Sequence, residues 1–432
     1  MNDSSDRQTR KPATRTLVIH PYLKRERDNA RDPESRLQEA VRLADAIWLH
    51  VVYKMTVPLG AIKPATLIGA GKVDEIAALV TEMNIELAIV DYKVSPAQQR
   101  NLEKALNCKV IDRTALILEI FGARARTHEG KLQVELASLN YQKSRLVKSW
   151  THLERQRGGF GFLGGPGESQ IEIDRRLIRD RISKISGELE GVKRTRELHR
   201  KTRRDVPYPV VALVGYTNAG KSTLFNRLTG ADVMVKDLLF ATLDPTLRNV
   251  KLPSGSQIIL SDTVGFVSDL PHDLVAAFRA TLEEVIEADL ILHVRDISHP
   301  DSEPQKKDVL EVLGGLLDQD TLDTRMIEVL NKIDNLPQET QENLLERSND
   351  MTIAISAVSG VGIPELLGRI ERFVNQHFLE TTELSVPVSD GKTLAWLHAH
   401  GSIIKKELVD ETYHLTVCMT PENIGRYKRL AG

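Results

Sequence analysis

The chain has 432 residues, 41% hydrophobic and 27% charged, with a formal net charge of −2, a make-up that suits a globular protein of two to four domains with substantial cores. Its two cysteines, Cys108 and Cys418, stand at no metal-ligand spacing and argue against a disulfide framework, in keeping with a reducing cytosol. No apolar run approaches the about 20 residues of a membrane span, and Met1-Asn2-Asp3-Ser4-Ser5-Asp6 is no secretory signal, so a cytoplasmic protein is expected.

Residues 1–15 are polar and charged and read as a disordered tail. From 16 to 115 strands (17–19, 48–53, 87–90, 109–111) alternate with helices (35–46, 73–83, 96–106), which predicts a small N-terminal α/β domain. Within it Gly69-Ala70-Gly71-Lys72 is similar to a phosphate loop but lacks the spacing before Gly-Lys and a Ser or Thr after Lys72. A turn capping the next helix is the favoured reading; a second nucleotide site, for ATP, or a nucleic-acid contact is the alternative.

Residues 116–205 change period. Leu132, Leu136, Leu139, Lys143, Leu146, Trp150 and Leu153 recur at spacings of four and three, and so do Ile171, Ile178, Ile182, Ile185, Leu189 and Val192. Two long helices could bury these seams against each other as an antiparallel hairpin. The loop between them, 158–167, holds six glycines and carries Phe160, Phe162 and Leu163. Between Gly122 and Arg204 there are 20 Lys and Arg against 10 Asp and Glu, so this segment is strongly basic while the whole chain is not. A mobile finger that inserts apolar and aromatic side chains into RNA is expected, flanked by Arg155, Arg157, Arg175, Arg176, Arg179 and Arg181, with a merely flexible connection as the alternative.

The two prolines Pro207 and Pro209 open a domain read as 206–378. Residues 210–214 read as a buried strand and 223–228 as a helix ending near Gly230. Between them Gly215-Tyr216-Thr217-Asn218-Ala219-Gly220-Lys221-Ser222, with Thr223 behind it, fits the phosphate-binding pattern. Lys221 would reach the β- and γ-phosphates and Ser222 would ligate Mg²⁺. Strand 258–260 leads to Asp262-Thr263-Val264-Gly265, with Asp262 for the metal and the Gly265 N–H for the γ-phosphate. Strand 327–330 leads to Asn331-Lys332-Ile333-Asp334. A carboxylate at Asp334 meets the N1–H and amine of guanine, the Lys332 stem covers the base, and Asn331 ties the loop back. Ser356-Ala357 then reaches guanine O6. Phe240-Ala241-Thr242-Leu243-Asp244 is the mobile segment, with Thr242 favoured over Thr246 as the second metal hydroxyl. Phe266 stands where Ras-like enzymes place a water-orienting glutamine, so slow intrinsic hydrolysis of GTP to GDP is expected. Residues 379–432 read as a small α+β tail domain without visible chemistry.

The order of these elements resembles the translation-factor class of GTPases. Together with the α/β N-domain, the glycine-rich loop followed by Glu168-Ser169-Gln170-Ile171-Glu172-Ile173-Asp174-Arg175-Arg176, and Asp262-Thr263-Val264-Gly265-Phe266, it resembles the HflX family of ribosome-associated GTPases. The resemblance implies binding to the large ribosomal subunit and its RNA, splitting or rescue of stalled ribosomes under stress, and ribosome-stimulated hydrolysis by a cytoplasmic monomer. A nucleotide-dependent RNA-remodelling protein with an ATP site in the N-domain is the alternative.

Overall fold

The computed structural model describes residues 13–24, 31–156, 167–204, 208–230, 240, 246–268, 279–378, 380–419 and 421–431. Most of the expected tail, the loop residues Phe160, Phe162 and Leu163, and Thr242 lie outside the described residues. The chain divides into two compact units. Residues 1–193, 236–244 and 268–279 make the first, and residues 194–235, 245–267 and 280–432 make the second.

In the first unit β1 (Arg15–Leu23), β2 (His50–Leu59), β3 (Leu87–Val90) and β4 (Lys109–Asp112) form a parallel sheet in the order β2-β1-β3-β4. The middle strands β1 and β3 are buried almost throughout, as parallel strands covered on both faces must be. Strand β1 is nine residues long and starts at Arg15, inside the expected tail. Helices α1 (Pro33–Asp45), α2 (Ala70–Glu82), α3 (Pro96–Leu106) and α4 (Arg113–Arg124) begin where local chemistry starts them. Asp32 accepts from the Ser35 N–H ahead of α1, and Ser95 and Gln98 form a reciprocal capping box on α3, each with proline in the first turn. Gly69 is the N-cap of α2, so the Gly69–Lys72 stretch is the helix-capping turn. The Lys72 ammonium is 2.7 Å from Glu75.

Two expectations are corrected here. Trp48, read as a strand residue, stands in the turn between α1 and β2 with φ of 58°. The helix runs to Asp45, and the chain must reverse before it can pair from His50 onward. The boundary at 115 falls inside α4, whose Leu116, Ile117, Ile120 and Phe121 are buried.

Both heptad stretches are helical, α5 (His128–Gln156) and α6 (Gly167–Arg204). Arg181 on α6 donates through two nitrogens to the Glu135 carboxylate on α5 at 2.7 and 2.8 Å, and Ile185 on the seam is fully buried. The middle of α5 is fastened by Asp112. Its carboxylate accepts from Tyr141 Oη at 2.9 Å, from Arg145 at 3.1 Å and from the Ala115 N–H at 2.8 Å. Burial, then the Asp112 charge, pushes the Tyr141 phenol beyond its ordinary range.

An ionic cluster is buried at the carboxyl ends of β1 and β3. Asp91 pairs with His20 Nδ1 at 2.8 Å and accepts from Arg113 at 2.6 Å. Burial acts to raise the Asp91 pKa, but the Arg113 charge and the His20 bond outweigh it and hold the carboxyl far below the usual range. Arg113 also donates to Glu39 and to the carbonyl and hydroxyl of Ser268. Phe240, in the same unit, sets its ring edge-on to Phe121 with centroids 4.7 Å apart.

The second unit contains β5 (Val210–Val214), β6 (Thr246–Lys251), β7 (Gln257–Asp262), β8 (Leu290–Asp296), β9 (Met326–Asn331) and β10 (Thr352–Ala354). They form one sheet in the order β10-β9-β8-β5-β7-β6, with only β6 antiparallel to its neighbour. Val211, Leu213, Leu292 and Val329 share a core cluster with Leu224 and Phe225 of α7 (Lys221–Thr229) and Leu366 and Ile370 of α12 (Ile363–Phe378). The remaining helices, α8 (Arg279–Ile286), α9 (Ser302–Gly314), α10 (Gln319–Arg325) and α11 (Gln338–Glu346), connect the later strands.

The tail combines three strands and two helices. Strands β11 (Glu380–Pro387), β12 (Ser402–Val409) and β13 (Thr412–Met419) pair antiparallel in the order β11-β13-β12. Helices α13 (Gly391–His400) and α14 (Pro421–Ala431) bring Leu397, Ile424 and Tyr427 onto Val386, Leu415 and Val417. The sequence reading missed β12, where Lys405-Lys406 interrupts the alternation, and α14. Among the described residues no helix is long and apolar enough to cross a membrane.

Candidate nucleotide site

The phosphate loop leaves β5 at Gly215 and enters α7 at Lys221. Its glycines are required by space as well as by dihedral angle. Gly215 has φ of 152°, and a Cβ there would sit 2.1 Å from the Val294 carbonyl. Gly220 has φ of 93°, and a Cβ there would sit 2.2 Å from Asn331 Nδ2. Asn218 between them is left-handed at 60°. The backbone is thereby folded so that successive N–H groups end on a helix N-terminus, which attracts anions.

Lys221 is buried with its Nζ donating to the Gly215 and Tyr216 carbonyls at 3.0 and 2.9 Å. Burial pushes its pKa down to about 8, and Asp262 opposes the shift. Ser222 Oγ donates to Asp262 Oδ2 at 2.9 Å. The structure thus brings together the two oxygen groups expected to hold Mg²⁺, a hydroxyl and a carboxylate, and a hard oxygen donor set fits that ion. Thr223 follows in the first turn of α7.

Gly265 lies against the loop. A Cβ there would meet Thr217 Cγ2 at 2.9 Å and Lys221 Nζ at 3.1 Å. Two backbone bonds lock this approach: Thr217 N–H to the Phe266 carbonyl at 2.7 Å and Phe266 N–H to the Gly215 carbonyl at 3.1 Å. The Phe266 side chain is only 2% exposed, so it packs inward and presents nothing to a water molecule.

The base-recognition residues gather at the ends of β9 and β10. Asn331 Nδ2 donates to the Ala219 carbonyl at 2.8 Å, and its Oδ1 accepts from the Ala357 N–H at 3.0 Å. One buried amide therefore joins the phosphate loop to the Ser356-Ala357 loop. Lys332 takes φ of 67°, its stem passing beside Gly220, and the chain turns to put Asp334 on an exposed 3-10 turn. Ser356 is fully buried, its hydroxyl accepting from the Ser359 N–H at 3.0 Å.

Two residues of this region were missed in the sequence. Asp296 at the end of β8 pairs with Lys332 Nζ at 2.8 Å. Arg227 of α7 donates to the carbonyls of Ala357 and Val358, holding the loop that carries the base contact. Neither belongs to a spaced motif. Phe240 is buried within the first unit, its ring on Phe121. Thr242 lies outside the described residues.

Three family models match the chain. They are a GTP-binding GTPase N-terminal model over residues 34–122, a GTP-binding GTPase middle region over 124–203, and a 50S ribosome-binding GTPase over 210–332. Among similar curated proteins, GTPase HflX of Magnetococcus marinus is 53% identical over 90% of this chain and 89% of its own length. GTPase HflX of Escherichia coli is 43% identical over 91% of this chain and 90% of its own. A solved GTP-binding protein of the archaeon Sulfolobus solfataricus in complex with GDP is 24% identical with a TM-score of 0.45, covering 84% of this chain and 99% of that one.

Proposed function

This chain belongs to the HflX family of GTPases, and on that premise we propose that it is a GTP-switched factor that engages the large ribosomal subunit and splits or rescues stalled ribosomes under stress. It binds guanine nucleotide and hydrolyses GTP to GDP and phosphate. Asp334 would select the base, Asn331 would set the base loop against the phosphate loop, and Lys221 would leave its two carbonyls to meet the β- and γ-phosphates. Ser222 and Asp262, joined by Thr242, would hold a magnesium ion that neutralises phosphate charge.

The observation that carries dependence on a partner is the burial of Phe266. A polar residue that orients the attacking water is missing from this position, so hydrolysis alone is slow and a second molecule completes the site. The basic segment 122–204 supplies the affinity for ribosomal RNA, with α5 and α6 acting as a hairpin that carries the loop 158–167. The test is co-sedimentation with large ribosomal subunits in the presence of a GTP analogue or GDP, with phosphate release measured in parallel. Binding in the analogue state and faster phosphate release support the reading; equal, weak binding in both states refutes it. Deleting residues 160–163 is expected to leave GTP binding intact and to weaken splitting.

A further inference from the structure

Trp48 leaves 65% of its surface exposed. Its backbone is left-handed, a conformation that glycine adopts freely and a bulky side chain adopts only at a cost. A residue that is both strained and exposed adds nothing to the core, and such outliers collect at functional surfaces. The ring is not alone. The Arg124 guanidinium lies 5.7 Å from its centroid and is fixed there by a 3.0 Å bond from Nη2 to the Ala46 carbonyl. Exposed Arg126 lies near enough to act on Arg124, and exposed Arg42 stands in the last turn of α1; Asp45 is the one carboxylate on that turn.

We propose that Trp48, backed by Arg124, is a stacking platform for an unpaired base of single-stranded RNA. This deepens the RNA-directed reading above and rests on it. The open face of an indole takes any base, because every base has a π-face, while a planar cation on the ring strengthens the stack. Arg126 and Arg42 supply the phosphate contacts that such a site needs. Three arginines on the neighbouring elements, Arg42, Arg124 and Arg126, against the one carboxylate of Asp45, favour a polyanion over an apolar protein partner.

The chain has three tryptophans, so Trp150→Phe combined with Trp396→Phe leaves Trp48 as the sole emitter in the full-length protein. Titration with an unlabelled uridine oligonucleotide is expected to quench this emission saturably, and the same sequence in a duplex is expected not to. Trp48→Gly relieves the backbone strain. It is expected to keep or raise the melting temperature while weakening the binding of the labelled oligonucleotide about tenfold or more. Trp48→Phe keeps a stacking face and is expected to bind within about threefold of the parent. Absent quenching, or a Trp48→Gly variant with parental oligonucleotide affinity, overturns the proposal. Loss of ribosome co-sedimentation by Trp48→Gly without loss of oligonucleotide binding also overturns it, since the face would then take a protein. If the parent fails to sediment with ribosomes but the quenching remains, the proposed function falls and the platform stands.

Discussion

Lys221 is stored in the free protein on the Gly215 and Tyr216 carbonyls, half-way to losing its proton near pH 8. Phosphates arriving beside it favour the charged form. GTP binding between pH 8 and 9 should therefore take up protons, and affinity should fall as pH rises through this range. Calorimetry in buffers of different ionisation enthalpy reads the uptake, and its absence shows that the lysine stays charged. Asp334→Asn should weaken GDP binding at least about tenfold, the worth of a charge-assisted hydrogen bond, and admit xanthine nucleotides. Unchanged base preference would remove Asp334 from base recognition. These residues were legible in the sequence because phosphate and guanine chemistry fix both residue type and spacing. Asp296 and Arg227 were not legible, because each acts on a loop reached only through the sheet order: Asp296 pairs with Lys332, and Arg227 meets a carbonyl 130 positions further on.

Strand β8 shows how one element serves two faces. Leu290, Leu292 and Val294 belong to the apolar core, while His293 and Arg295 alternate with them onto the other face. There Arg295 and Lys306 meet Glu328, and His293 is buried with its Nδ1 unpartnered among the described residues. Burial, aided by the charges of Arg295, Lys306 and Lys221 and opposed by Glu328, pushes the His293 pKa down to about 4. Between pH 6.5 and 4 the unfolded chain binds this proton and the folded chain does not, so stability falls as pH falls, by up to about 3 kcal/mol at the acid end. His293→Gln should flatten that slope in denaturant titrations; an unchanged slope assigns the acid sensitivity elsewhere. The parallel strands were legible as apolar runs, and α3 as a helix over 96–106, though not its cap. Strand β12 was not, because its Ile404 and Leu408 face solvent and leave no clean alternation. Trp48 was misread because an apolar run continues from the turn into β2, and only the backbone angle separates them.

At the scale of the molecule, the division into compact units does not follow the order of the chain. The sequence divides cleanly at the Pro207-Pro209 linker, yet 236–244 and 268–279 belong with the first unit although both lie inside the segment read as the GTPase domain. Phe240 is buried there on Phe121, and the Ser268 carbonyl and hydroxyl take hydrogen bonds from Arg113. Arg113→Gln should therefore break the buried bonds to Ser268 and Asp91 and lower the melting temperature, while an unchanged melting temperature would show that these bonds do not stabilise the unit. The same feature decides how the protein can be dissected. A fragment cut at residues 206 and 378 carries Phe240 and Ser268 away from Phe121 and Arg113, uncovering an aromatic ring and opening a buried ionic cluster to water. Measured on such a fragment, nucleotide exchange and aggregation would report the wound made by the cut, so an intrinsic GTPase rate is a property of the uncut chain.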